Sequence, residues 1–199
     1  LDVIEAQVKL GDTSGATEYL KEVTDLLVMP PMSYFAPFLE LCVYASTKDW
    51  DNFNATVDEA TEGINNLGFS GMMPMLFSFQ AEYFEAIGEI ESAINLYKNV
   101  ATSSSFMGED DTSQEAYMEL ARIYQELDNF KESEKMFAIF FKMEDESAEG
   151  FYEHSILKEK QGKNDEAFEL IKKAYNLYQN ADTELELTQK IFARYNRYQ

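Results

Sequence analysis

AEYFEAIGEIESAINLYKNV (81–100), ARIYQELDNFKESEKMFAIF (121–140) and SILKEKQGKNDEAFELIKKA (155–174) are three copies of one pattern. Each reads as a helix, a tight polar break and a second helix that begins around a small residue. LCVYASTKDWDNFNATVDEA (41–60) and IEAQVKLGDTSGATEYLKEV (4–23) are weaker copies upstream. Laid over one another, the five fill the same physical slots. A small or medium residue falls where two helices cross: Ile4, Leu41, Ala81, Ala121 and Ser155. Three residues later comes a side chain on the same face: Gln7, Tyr44, Phe84, Tyr124 and Lys158. The break holds Gly11, Lys48, Gly88, Asp128 and Gly162, where a left-handed residue closes the first helix. The second helix brings Ala16, Phe53, Ala93, Ser133 and Ala167, then, four residues on, Leu20, Val57, Tyr97, Phe137 and Ile171.

The remaining sequence agrees with helix throughout. The chain is 45% apolar and 14% aromatic, which is too rich in core-forming residues for disorder, and only four prolines and nine glycines interrupt it. Strand-type alternation is scarce, whereas Glu, Ala, Leu, Met and Lys recur at helical spacing. Pro31 and Pro74 suit the first positions of helices, where a missing N–H costs little. Thr112 with Glu115 reads as a capping box, and Asp49, Asn129 and Asn164 open or precede second helices. The class is all-α.

These slots resemble the tetratricopeptide repeat, whose period is 34 residues, with small residues at helix crossings and aromatics between them. Ala121 to Ser155 spans one such period of 34, while the steps 41 to 81 and 81 to 121 are 40 each. The added length is similar to that of longer-period variants in bacterial regulators and kinesin light chains. The resemblance covers essentially the whole chain and is clearest over 73–179. It implies a right-handed α-solenoid of about five antiparallel helix hairpins plus a C-terminal capping helix. The repeats are expected near 1–28, 32–66, 73–104, 112–144 and 147–179, with the terminal helix at 182–198. That helix carries Lys190, Arg194 and Arg197 and is either a cap or the first half of a sixth repeat.

No residues arrange themselves for catalysis. Cys42 and His154 are the only cysteine and histidine, so a Ser/His/Asp or Cys/His set, a disulfide and a thiolate metal cluster all lack their parts. A small buried Cys42 and a packed His154 are the readings favoured here. Glu109, Asp110 and Asp111 lack the alternating ligand spacing of a calcium loop and read as a solvated acidic loop. No catalytic residue, cofactor or metal is therefore expected.

The formal net charge of −21 opposes binding to nucleic acid and to anionic membrane surfaces. No stretch approaches the roughly 20 apolar residues of a membrane span. The chain opens on Leu1 and shows no basic segment followed by an apolar run, so a processed product or a piece of a longer protein is expected. A cytoplasmic location is expected, with the periplasm left open.

In repeats of this kind the concave groove is lined by first helices. Carried over slot by slot, the resemblance implies Phe38, Cys42, Ser78, Glu82, Glu85, Met118, Arg122, Gln125, Tyr152, Ile156 and Glu159 as groove residues, with Phe35 and Met75 one turn earlier. The N-terminal half of that groove is apolar and its middle acidic, since no Lys or Arg lies between Lys48 and Lys98. The expected partner is a protein or peptide with apolar and basic residues. Chaperone-binding members of the family clamp a carboxylate with basic groove residues; here Arg122 alone among those positions is basic, which disfavours that ligand. A regulatory module of a larger protein is one alternative. Another is a homo-oligomer in which the basic helix 182–198 of one copy enters the acidic groove of the next.

Overall fold

In the computed structural model the chain is described for residues 12–27, 29–103, 111–182 and 185–199. The slots Ile4, Gln7 and Gly11 of the first repeat, and Glu109 and Asp110 of the acidic loop, lie outside the described residues. The chain forms two compact units, residues 1–112 and 113–199.

In the first unit, α1 (Thr13–Leu26) starts where the Asp12 carboxylate accepts a hydrogen bond from the Gly15 N–H at 2.9 Å. A 3₁₀ turn (Met32–Phe35) leads into α2 (Ala36–Thr47), whose first turn takes Pro37. Helix α3 (Trp50–Leu67) folds back on α2, and a second 3₁₀ turn (Ser70–Met72) delivers the chain to α4 (Met73–Ala86), with Pro74 in its first turn. Helix α5 (Ile90–Ala101) closes that hairpin. The second unit holds α6 (Asp111–Glu126), α7 (Phe130–Met143), α8 (Ala148–Lys160), α9 (Asn164–Tyr178) and α10 (Glu186–Asn196), α6 starting two residues before the unit boundary.

Four hairpin turns are built alike. Lys48, Gly88, Asp128 and Gly162 take positive φ of 57°, 82°, 55° and 75°. Immediately after each, one N–H reaches back to the first helix: Asp49 to Tyr44 O, Glu89 to Phe84 O, Asn129 to Tyr124 O and Lys163 to Lys158 O, all at 2.8 Å. This is the αL cap that satisfies orphan carbonyls at a helix end. It recurs at Lys48 and Asp128 although a Cβ makes αL unfavourable there, because the turn geometry is set by the two helices it joins. Asp49 and Asn129 then cap the second helices by accepting from the N–H groups of Asn52 and Glu132.

The crossing slots form the interior. Leu41, Ala81, Ala121 and Ser155 are fully buried, as are Ala16, Ala60, Ala93, Ser133, Ala167 and Ala174. In the first unit Phe38, Leu41, Cys42, Phe53, Ile64 and Leu76 pack as one cluster, while Ala16 and Leu20 of α1 meet Leu39 and Val43 of α2. In the second, Met118, Ala121, Phe137, Phe140 and Leu157 join α6, α7 and α8, and Ala148, Phe151, Ile171, Ala174 and Ile191 join α8, α9 and α10. A buried hydroxyl needs a partner, and the Ser133 hydroxyl finds one by donating to Ala121 O at 2.7 Å.

Candidate functional site

The surface formed by first helices is best defined in the second unit, where polar contacts tie α6, α8 and α10 into a row. Lys160 Nζ of α8 donates to Gln125 O of α6 at 3.2 Å. On the other flank Arg194 of α10, nearly buried, donates from Nε to Ser155 Oγ at 2.7 Å and from its guanidinium to Ser155 O at 3.1 Å. It also pairs with Glu159 of α8. Burying a guanidinium is costly unless its donors are satisfied, and here three acceptors from one helix satisfy it. These contacts fasten α10 to α8 within the chain.

Thirteen residues were carried to the groove by resemblance, and the structure divides them. Phe38, Cys42, Met118 and Gln125 are 0%, 3%, 8% and 3% exposed, so they belong to the interior and offer no surface to a partner. Their burial comes from the helices packed over them, which spacing along the chain does not carry. Phe35 is half-buried, packed against two core clusters, and Met75 lies against the same core as Phe38. Ser78 and Glu85 are half-buried on α4 and Glu82 is exposed.

In the second unit the remaining four lie on or beside the row. Arg122 donates to Glu119 at 2.8 Å and to Glu126 at 2.9 Å. Tyr152 and Ile156 are half-buried on α8, and Glu159 is held by Arg194 with Arg197 at 3.7 Å. The row also carries residues that the slot rule missed: Glu119 on α6, Glu149 and Glu153 on α8 and Lys190 on α10 interact electrostatically around Glu153. Burial, with Glu149 and Glu119 close by, holds the Glu153 carboxyl above the usual carboxylate range, against the pull of Arg122 and Lys190. Apart from Glu149, one helical turn before it, its neighbours lie 31 to 37 positions away in sequence, so no local pattern announces the group as a whole.

His154 sits on α8 in a different setting. Its ring stacks on Phe137 with centroids 4.6 Å apart, and Nε2 lies 3.0 Å from Glu134 of α7. Glu134 also accepts from Lys158 at 2.7 Å and Gln161 at 3.0 Å, and Lys158 bridges on to Glu166 of α9 at 3.0 Å. This knot fastens α7, α8 and α9 together and borders an open cleft that Glu169, Leu170 and Lys173 complete. Burial lowers the His154 pKa despite the Glu134 carboxylate, so the imidazole is held neutral. The knot reads as structural. Among the described residues no group of three or more His, Cys, Asp or Glu side chains could hold a metal ion, and no helix is long and apolar enough to cross a membrane.

Comparison of the fold with solved structures gives long, even matches. The crystal structure of MamA aligns over 98% of this chain and 99% of its own with a TM-score of 0.56. The crystal structure of a Podosopora anserina putative kinesin light chain with nearly identical TPR-like repeats aligns over 92% of this chain and 95% of its own, with a TM-score of 0.60. Both are 14% identical to it. The chain has a tetratricopeptide-type helical-repeat fold. It is an all-α solenoid, held by the crossing residues and αL turns described above. No family model matches the sequence, and no curated protein matches it. At this identity the likeness reaches the architecture alone, since slots filled by different side chains give the same backbone.

Proposed function

We propose that this tetratricopeptide-type chain is a non-catalytic scaffold that binds a protein segment carrying apolar and basic residues on the faces of its first helices. The observation that carries this reading is the row α6, α8 and α10. It is held rigid by Arg194 and Lys160, yet presents half-buried Tyr152, Glu153 and Ile156 side by side. Half-buried aromatic, aliphatic and charged groups on a fixed platform suit recognition of a peptide, because little side-chain freedom remains to be lost on binding. In the first unit, taken by itself, the α4 positions Met75, Ser78, Glu82 and Glu85 make a second face of the same kind. The acidic balance supports a basic partner: residues 1–112 hold 19 Asp and Glu against 4 Lys and Arg, and residues 113–199 hold 18 against 12.

Selection of a displayed library of random peptides on the intact chain tests this. The wild type is expected to enrich peptides with mixed apolar and basic residues. The Glu82→Lys, Ile156→Glu double variant should bind them about tenfold or more weakly, and Glu169→Lys on the second helix α9 should leave binding unchanged. Absence of any enriched peptide, or equal binding by all three proteins, would sink the proposal.

A further inference from the structure

Within the row of first helices, one carboxylate is without a counterpart. Glu153 is half-buried on α8, within electrostatic reach of Glu119 and Arg122 of α6, Glu149 of its own helix and Lys190 of α10. Both nearby cations are already engaged. Arg122 is forked between Glu119 and Glu126, and Lys190 pairs with Glu186 at 2.7 Å. Glu153 itself makes no hydrogen bond and no ion pair among the described residues. Elsewhere in this unit a half-buried charge is answered: Glu134 takes three donors and Arg194 three acceptors. A partly desolvated carboxylate left open on a binding face favours a cation arriving from outside, since the usual repayment for its lost hydration is missing.

Its surroundings specify the visitor further. Ile156 follows Glu153 by three residues and so lies on the same face of α8. Tyr152 shares the electrostatic neighbourhood of Lys190 with Glu153. We infer that Glu153 is the anchor of the binding face, pairing with a Lys or Arg of the bound segment while Ile156 and Tyr152 take the apolar side chains beside it. This rests on the reading of the first-helix row as the binding surface and adds to it the residue that selects the partner. Burial and the two flanking glutamates, which penalise the bare carboxylate, strengthen the gain on pairing.

The test uses the full chain and an array of nonapeptides with a central Lys or Arg between apolar residues, alongside the same peptides with central norleucine or Glu. Wild type is expected to prefer the Lys and Arg peptides over norleucine by about tenfold. Glu153→Gln should erase that preference while retaining weak binding to both sets, and Glu169→Gln, on the second helix α9, should leave it intact. Glu153→Lys should turn the preference towards central Glu, a gain that a merely unfolded variant cannot show. Peptide binding without Lys or Arg preference, or a preference that survives Glu153→Gln, would overturn the assignment while leaving the scaffold reading in place. No binding of any peptide would remove the scaffold reading, and this one with it.

Discussion

At the scale of single residues, the chain's only histidine is a structural group with a titration of its own. His154 is pressed against Phe137 and Phe141, and its Nδ1 is buried with no hydrogen-bond partner. Protonation would place a second N–H in that apolar setting with nothing to receive it. Burial keeps the folded pKa below the ordinary value of about 6.5, so the unfolded chain binds the proton more readily. The stability this neutral imidazole contributes is full above about pH 6.5 and is lost as the pH falls from there through the folded pKa. Glu134 acts in a lower window. Burial pushes its pKa up, but hydrogen bonds from Lys158, His154 and Gln161 outweigh that and lower it, so its contribution fades only below the ordinary carboxylate range near 4.5. Thermal unfolding should therefore show a midpoint that declines between about pH 7 and 5.5, with the decline shallower in His154→Gln. Parallel pH profiles for the two proteins would contradict this account. The residue scale is also where the sequence served the site least. Phe38 and Met118 have the same local spacing as true surface positions, and only the helices packed over them decide that they are buried.

Helices and turns repeat more faithfully than side chains do. The four αL turns keep one hydrogen-bond geometry whether the residue is Gly, Lys or Asp, because each links an antiparallel pair of fixed separation. Close fits at glycine differ in what they meet: at Gly150 of α8 a Cβ would meet the Phe140 ring, whereas at Gly63 it would meet backbone. Gly63 in α3 lies under the 3₁₀ turn before α2, and a Cβ there would collide with the Tyr34 carbonyl oxygen. Ala ordinarily favours a helix over Gly by about 1 kcal/mol. Here the obstacle is backbone, which cannot swing aside as a side chain can, so the collision outweighs the propensity. Gly63→Ala is expected to destabilise the chain by about 1–3 kcal/mol, read from urea unfolding. An unchanged or raised midpoint would mean that the 3₁₀ turn yields freely.

For the molecule as a whole, charge opposes compactness. A net −21 on 199 residues is self-repulsion, and among the described residues the pairs Arg122–Glu119, Arg122–Glu126, Lys135–Glu132 and Lys190–Glu186 join neighbours on one helix and stand partly in solvent, where each contributes about 0–1 kcal/mol. Screening should therefore help the folded state more than it harms those pairs. The unfolding midpoint is expected to rise as NaCl goes from about 10 to about 300 mM, over which the Debye length falls from about 30 Å to well under 10 Å. A fall in the midpoint would show that the Glu134 and Arg194 networks outweigh the repulsion.

The sequence by itself determined the helical class, the crossing residues, the left-handed turns and the acidic balance. Each of these follows from a rule that acts over a few residues or over composition: helical period, the small or medium side chain that a close crossing admits, the cap that a terminus demands, and the sum of charges. Only the tertiary structure decided which groove slots are surface and which are core, that Arg194 fastens α10 onto α8, that Glu134 gathers His154, Lys158 and Gln161, and that Glu153 is left open between α6 and α10. These depend on side chains from separate helices arriving at one place. Burial and electrostatic pairing are properties of that shared space, and no spacing along the chain encodes them.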